Sequence, residues 1–124
     1  MRLNKKEFWE AIKQLRGKCL YTYVDRNHNT IVYVEDSNKP TDKIIIEERE
    51  TCPIREDIEA AYELLYKKGS LTRKYDLAWL AGPEKKTSSI VFRIIGEIEK
   101  DFIEVDTSPP ETISLKDFNK NNNN

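Results

Sequence analysis

The residues best suited to chemistry stand close together. Within "GPEKKTSSIVFR", Lys85, Lys86, Thr87, Ser88, Ser89 and Arg93 put three cations and three hydroxyls into nine positions. Hydroxyl side chains and the unpaired N–H groups of a helix start bind phosphate oxygens, lysines supply positive charge there, and an arginine one turn further on can reach a guanine edge. Arg73 and Lys74 add two cations upstream that could grip a nucleic-acid backbone. This is the chemistry of binding, with a phosphate backbone as one ligand that it would suit.

Candidates for catalysis are fewer. His28 is the only histidine and lies in the turn-like "RNHN", where solvation accounts for it. There is no GxSxG, no HExxH and no glycine-rich loop before a helix, and the ligands of a zinc site are missing. In "DKIIIEE", Asp42, Glu47 and Glu48 with Lys43 faintly suggest the acids and lysine of a nuclease, and Asp25 with Asp36 is a second acid pair. Charge alternation on a solvent-facing strand explains the same residues. The expectation is a non-enzymatic protein with no metal and no cofactor.

Charge and composition bound the partners. The 124 residues carry 21 Lys and Arg against 22 Asp and Glu, a net of −1, so the overall balance announces neither nucleic acid nor membrane. Its distribution is uneven: residues 1–18 hold six basic and two acidic residues, whereas residues 19–52 hold four and seven. With 38% hydrophobic and 35% charged residues the chain should bury one small core. Cys19 and Cys52 lack CxxC spacing and read as free thiols, with a disulfide left open. No apolar run reaches the roughly 18 residues of a membrane span, so a cytoplasmic protein without a membrane partner is expected. No heptad run indicates an oligomeric state.

The elements that must position these residues follow from periodicity. Phe8, Ile12 and Leu15 are spaced as one face of a helix over 4–16, with Asn4 and Glu7 as a capping box and Gly17 as the stop. Lys5, Lys6, Lys13 and Arg16 avoid that stripe, so the opposite face is basic. Alternation over Leu20–Val24, Thr30–Val34 and Lys43–Glu47, broken by "DRNHN" and "EDSNKPTD", predicts three antiparallel strands in a meander. A helix from about Pro53 buries Ile54, Ile58, Ala61 and Leu65 and ends at Gly69. Thr72 then caps a short helix to about Leu80, "AGPEKK" forms a turn, and Thr87 or Ser88 caps a third helix with Ile90, Val91, Ile94, Ile95 and Ile98 as its apolar face. A short strand, "DFIEVD", follows.

With "LLYKKGSLTRKYDLA" and "TSSIVFRIIGEI" in that order, residues 54–106 resemble the winged-helix branch of the helix-turn-helix superfamily. The resemblance implies that the last helix is a recognition helix and that Lys85, Lys86, Thr87, Ser88, Ser89 and Arg93 meet the major groove, with Arg73 and Lys74 in support. It implies a small regulator or an accessory subunit of a DNA-processing system.

A rival reading uses other residues. Residues 69–100 hold six basic and four acidic residues, a small excess for a protein whose affinity must come from phosphate neutralisation. Trp9, Tyr21, Tyr23, Tyr33, Tyr66 and Trp79 fall outside the core stripes, and an exposed patch of them would mark a protein-interaction or inhibitor module. Tyr21, Tyr23 and Tyr33 on one sheet face could also stack single-stranded bases.

The expected fold is therefore α+β: an N-terminal helix and three-stranded antiparallel sheet (1–52) joined in one domain to a winged-helix-like three-helix unit with a short C-terminal strand (53–106). Residues 107–124 read as a loose tail, disordered over 119–124, from which Ile113, Leu115 and Phe118 could dock on the domain or on a partner. The pattern makes Ile94 a core residue. Ile94→Asp is expected to unfold the protein, since an unpaired buried charge costs on the order of 5 kcal/mol, comparable with the whole stability of a small domain. A thermal melt checks it, and a cooperative transition near the parent temperature would show the faces of this helix inverted.

Overall fold

A computed structural model describes residues 2–118, so the asparagine-rich end expected to be disordered lies outside the described residues. The first helix, α1 (Lys5–Lys13), begins with the reciprocal capping box: the Glu7 N–H donates to Asn4 Oδ1 at 2.8 Å, and the Asn4 N–H donates to Glu7 Oε1 at 3.0 Å. It buries Phe8, Ile12 and also Trp9, an aromatic expected outside the core, whose Nε1–H donates to the Glu35 carbonyl at 3.1 Å. Gly17, at φ 88°, turns the chain into the first sheet.

That sheet is the expected meander. Strands β1 (Cys19–Tyr21), β2 (His28–Val34) and β3 (Ile44–Ile46) pair antiparallel in the order β1-β2-β3. His28 opens β2 instead of lying in the preceding turn. Leu20, Ile31, Val34, Ile44 and Ile46 face inward. The register slips between Ile31 and Tyr33, a bulge that leaves Val32 and Tyr33 both exposed although they are consecutive.

Helix α2 (Arg55–Lys68) buries Ile58, Ala61, Tyr62 and Leu65, and Gly69 closes it in the left-handed conformation at φ 85°. The next residues depart from expectation. Ser70–Thr72 form a strand, β4, before the short helix α3 (Arg73–Asp76) and a 3₁₀ turn (Ala78–Leu80). Thr72 does not cap α3 with its side chain; its hydroxyl bonds that of Thr112 at 3.1 Å. The partner strand lies in the segment expected to be a loose tail. Thr112–Leu115 form β6, the central strand of a second antiparallel sheet ordered β4-β6-β5, with β5 at Ile103–Asp106. Ile113 of β6 is fully buried.

Helix α4 (Ser88–Ile98) lies at the centre. It packs against α1, α2, α3, β1 and the 3₁₀ turn, so one core spans both sheets. Ile90, Val91, Ile94 and Ile95 are inaccessible, as the periodicity requires, and Phe92 joins them. Among the described residues no helix is long and apolar enough to cross a membrane.

A buried carboxylate ties α4 to α2. Glu99, 1% exposed, accepts hydrogen bonds from the Tyr66 hydroxyl and, at 3.4 Å, from that of Tyr62. Phe8 stacks on Tyr62 at 4.1 Å and the Leu3 N–H donates to its hydroxyl at 2.9 Å. Burial, with Glu99 adding to it, pushes Tyr62 up to about 12; burial and the hydrogen bond to Glu99 raise Tyr66 further. Both stay protonated in the folded protein at a pH where an unfolded tyrosine, at about 10, has lost its proton. Stability is thus complete below about pH 10 and falls as pH rises toward 12. Denaturant midpoints measured from about pH 9 to 12 should drop, less steeply in Tyr66→Phe, and a flat profile would contradict this account.

Candidate functional site

The turn before α4 is held by its own backbone, with the Lys86 N–H bonded to the Gly82 carbonyl at 2.9 Å and the Thr87 N–H to that of Leu80 at 2.8 Å. Each residue singled out for DNA contact can be placed from there. Lys85 reaches back to Asp57 in the first turn of α2, 2.7 Å away, and lies over the Trp79 ring. Lys86 is exposed, at φ 49°, and its carbonyl accepts from Arg49. Thr87 and Ser88 are buried, 2% and 7% exposed. The Ser89 hydroxyl accepts from Arg49 at 2.9 Å. Arg93 donates from Nε to the Tyr21 carbonyl at 2.7 Å, pairs with Glu97 at 3.0 Å and stacks 4.8 Å from the Tyr23 ring centre. Arg73 pairs with Glu111 at 2.9 Å, and Lys74 lies over Tyr75.

The fold therefore gathers Arg73, Ser88 and Ser89 around one small cavity, turns Arg93 toward the N-terminal hairpin and sends Lys74 elsewhere. No residue of α4 is fully exposed: Ser89, Arg93, Glu97 and Ile98 are half-buried and the other seven are buried. The β5–β6 hairpin is acidic on its own account, with Asp101, Glu104, Asp106 and Glu111 and no basic residue over 101–111. The lysines of α1 do not extend the cluster. Lys5 and Lys6 line a cleft with Asp36, Arg55 and Glu59, and Lys13 pairs with Glu10 and Asp36.

Two of the acids that faintly suggested a nuclease, Asp42 and Glu48, have separate structural partners. Asp42, nearly inaccessible, accepts from the Ser37 hydroxyl and from the N–H groups of Ser37 and Lys39, at 2.9 and 3.2 Å, with Arg55 at 3.8 Å. The Ser37 hydroxyl, then those N–H groups, hold its carboxyl below the usual range. Glu48 accepts from Thr30 N–H and Oγ1 at 2.6 and 2.8 Å, and the Thr30 backbone bond lowers it in turn. Both carboxylates order loops around the sheet. Cys19 and Cys52 are free thiols.

The outer face of the first sheet is the surface that the sequence only partly disclosed. Tyr21, Val32 and Tyr33 are 39, 46 and 49% exposed, and Cys19, Thr30 and Ile45 lie in register between them. Arg26 sits over Tyr21 at 5.3 Å and Arg16 over Tyr33 at 5.5 Å, while His28 meets Tyr21 edge-on. Tyr23, expected on the same face, instead crosses α4 and packs edge-on against Phe92. No family model, curated protein or solved structure matches the chain.

Tyr23 can cross α4 only because position 96 is glycine. A Cβ there would collide with the Tyr23 hydroxyl and lie 3.0 Å from Cζ. In an exposed helix interior Gly→Ala stabilises by about 1 kcal/mol; here overpacking of about 1–3 kcal/mol should reverse the sign. Gly96→Ala is expected to lower the unfolding midpoint in the parent and raise it in a Tyr23→Ala background. A double-mutant cycle by chemical denaturation checks this, and stabilisation in both backgrounds would refute the contact.

Proposed function

We propose that the protein is a non-enzymatic protein-interaction module, in which a winged-helix-like unit over 55–115 supports a binding face on β1–β3. The succession α2, β4, α3, α4, β5, β6 and the antiparallel order β4-β6-β5 support the winged-helix resemblance and extend it into the former tail. Support for duplex reading by that unit is thinner. A recognition helix must present side chains to the groove, whereas α4 is covered along its length and the hairpin after it is acidic.

The observation that carries the proposal is the pair of tyrosine–arginine stacks on the outer sheet face. Tyrosine and arginine are, with tryptophan, the residues enriched where truncation most weakens a protein interface. Among the described residues neither Arg16 nor Arg26 forms an ion pair, so each guanidinium keeps donors for a carboxylate. The fitting partner is a protein surface with apolar side chains for the tyrosines and carboxylates placed to meet Arg16 and Arg26. Tyrosines also stack bases, but Glu47 and Glu48 follow β3 beside this face and oppose a phosphate backbone.

A partner recovered on immobilised protein, then purified, should bind in calorimetric titrations with defined stoichiometry. Tyr21→Ala/Tyr33→Ala is expected to weaken it about 30-fold or more, the loss of a hot spot, and Lys86→Glu to leave it unchanged. Single- and double-stranded oligonucleotides are titrated alongside. Partner binding indifferent to both tyrosines would overturn the proposal, as would salt-sensitive binding of either oligonucleotide in place of a protein.

A further inference from the structure

A cavity of about 180 Å³ opens at the start of α4, between the β1–β2 turn and the second sheet, with Thr22, Asp25, Arg73, Ser88, Ser89 and Glu111 in its lining. At roughly 30 Å³ per water it has room for a small ligand. Its α4 wall is rich in donors. The first helical bond of α4 runs from the Val91 N–H to the Thr87 carbonyl at 3.0 Å, which leaves the N–H groups of Ser88, Ser89 and Ile90 without helical acceptors. Thr87, at the position whose side chain would normally serve them, makes no capping bond, and its Oγ1 is buried without a partner.

Ser88 supplies the second and independent observation. It is more than nine-tenths buried and lines the cavity, and its hydroxyl has no hydrogen-bond partner among the described residues. The neighbouring Ser89 oxygen already accepts from Arg49, so its own O–H remains available to donate. Of these groups Ser88 and Ser89 line the cavity, and donors at the positive end of an 11-residue helix favour an anion. The charged lining limits how much charge. Arg73 is paired with Glu111 and Asp25 is a further carboxylate, so the wall carries one positive and two negative groups and opposes a doubly charged ligand.

We infer that this cavity is a binding site for a singly charged oxyanion, the carboxylate or phosphodiester group of a small ligand or partner, held by amide and hydroxyl dipoles more than by net charge. The inference is independent of the sheet-face reading. Its test is an amide-resolved NMR titration of the whole chain with sodium acetate and with dimethyl phosphate, against sodium chloride at equal ionic strength. Saturable shifts concentrated on Ser88, Ser89 and Ile90 are expected, and the tighter probe distinguishes the two sources. Ser88→Ala should weaken binding about tenfold, the loss of one hydrogen bond to a charged group. Ser88→Asp, which brings its own carboxylate to the helix start, should abolish binding and raise the melting temperature. Shifts that chloride reproduces, shifts scattered over exposed lysines, or unchanged affinity in Ser88→Ala would each overturn the site.

Discussion

One guanidinium fixes how the two halves of the chain meet across their shared core. Arg49, just beyond β3, donates to Asn29 Oδ1 at 2.6 Å, to the Lys86 carbonyl at 2.9 Å and to Ser89 Oγ at 2.9 Å. Asn29 is itself buried on β2 and donates to the Asn27 carbonyl at 3.1 Å, so the fan reaches from the first hairpin to the start of α4. Arg49 is half-buried, and that burial lowers its pKa, while its three hydrogen bonds replace water around the guanidinium. Lysine has the charge but not the planar fork that reaches three acceptors on two different elements.

Once the hairpin is held there, the character of α4 follows. Seven of its eleven residues are apolar or glycine, and a helix apolar on all sides must be buried on all sides. Its polar residues are arranged to permit that. Ser88 and Ser89 stand at the first turn, and Arg93 and Glu97 satisfy each other at i,i+4 while Arg93 also bonds the Tyr21 carbonyl. The helix that the sequence pattern offers for reading DNA thus serves as the pillar on which the N-terminal unit rests. The basic residues gathered near it are mostly engaged within the fold.

What could be read from the sequence was local. The Asn4–Glu7 box, the glycine stops at 17 and 69, the meander and the buried stripe of α4 all depend on residues within a few positions of one another. The two short strands β4 and β6 depend on each other across some 40 residues, with Leu71 opposite Ile113, and neither "SLT" nor "TISL" is long enough to display a period of its own. The site followed the same division. Hydroxyls and cations at the start of α4 were legible as donors, but their enclosure by the β1–β2 turn is a long-range contact. The bulge at Val32 was equally hidden, and it decides which tyrosines share a face by moving Tyr33 outward.

Charge distribution then separates the surfaces by what each can still accept. Lys13 of α1 has carboxylate partners, and so do Arg55, Lys68, Arg73, Lys85, Arg93 and Lys100, which screens the regions around α2, α3 and α4. Arg16 and Arg26 have aromatic partners instead. A ring face attracts a cation by about 0.5–1 kcal/mol at an exposed site, and it leaves the N–H groups at the guanidinium edge free to donate. Among the described residues these two arginines are thus oriented without an ion pair, at opposite ends of a face that also carries Val32, Ile45 and Thr30. In a chain of net charge −1, these are two guanidinium groups that no carboxylate among the described residues engages, held beside the half-exposed rings of Tyr21 and Tyr33.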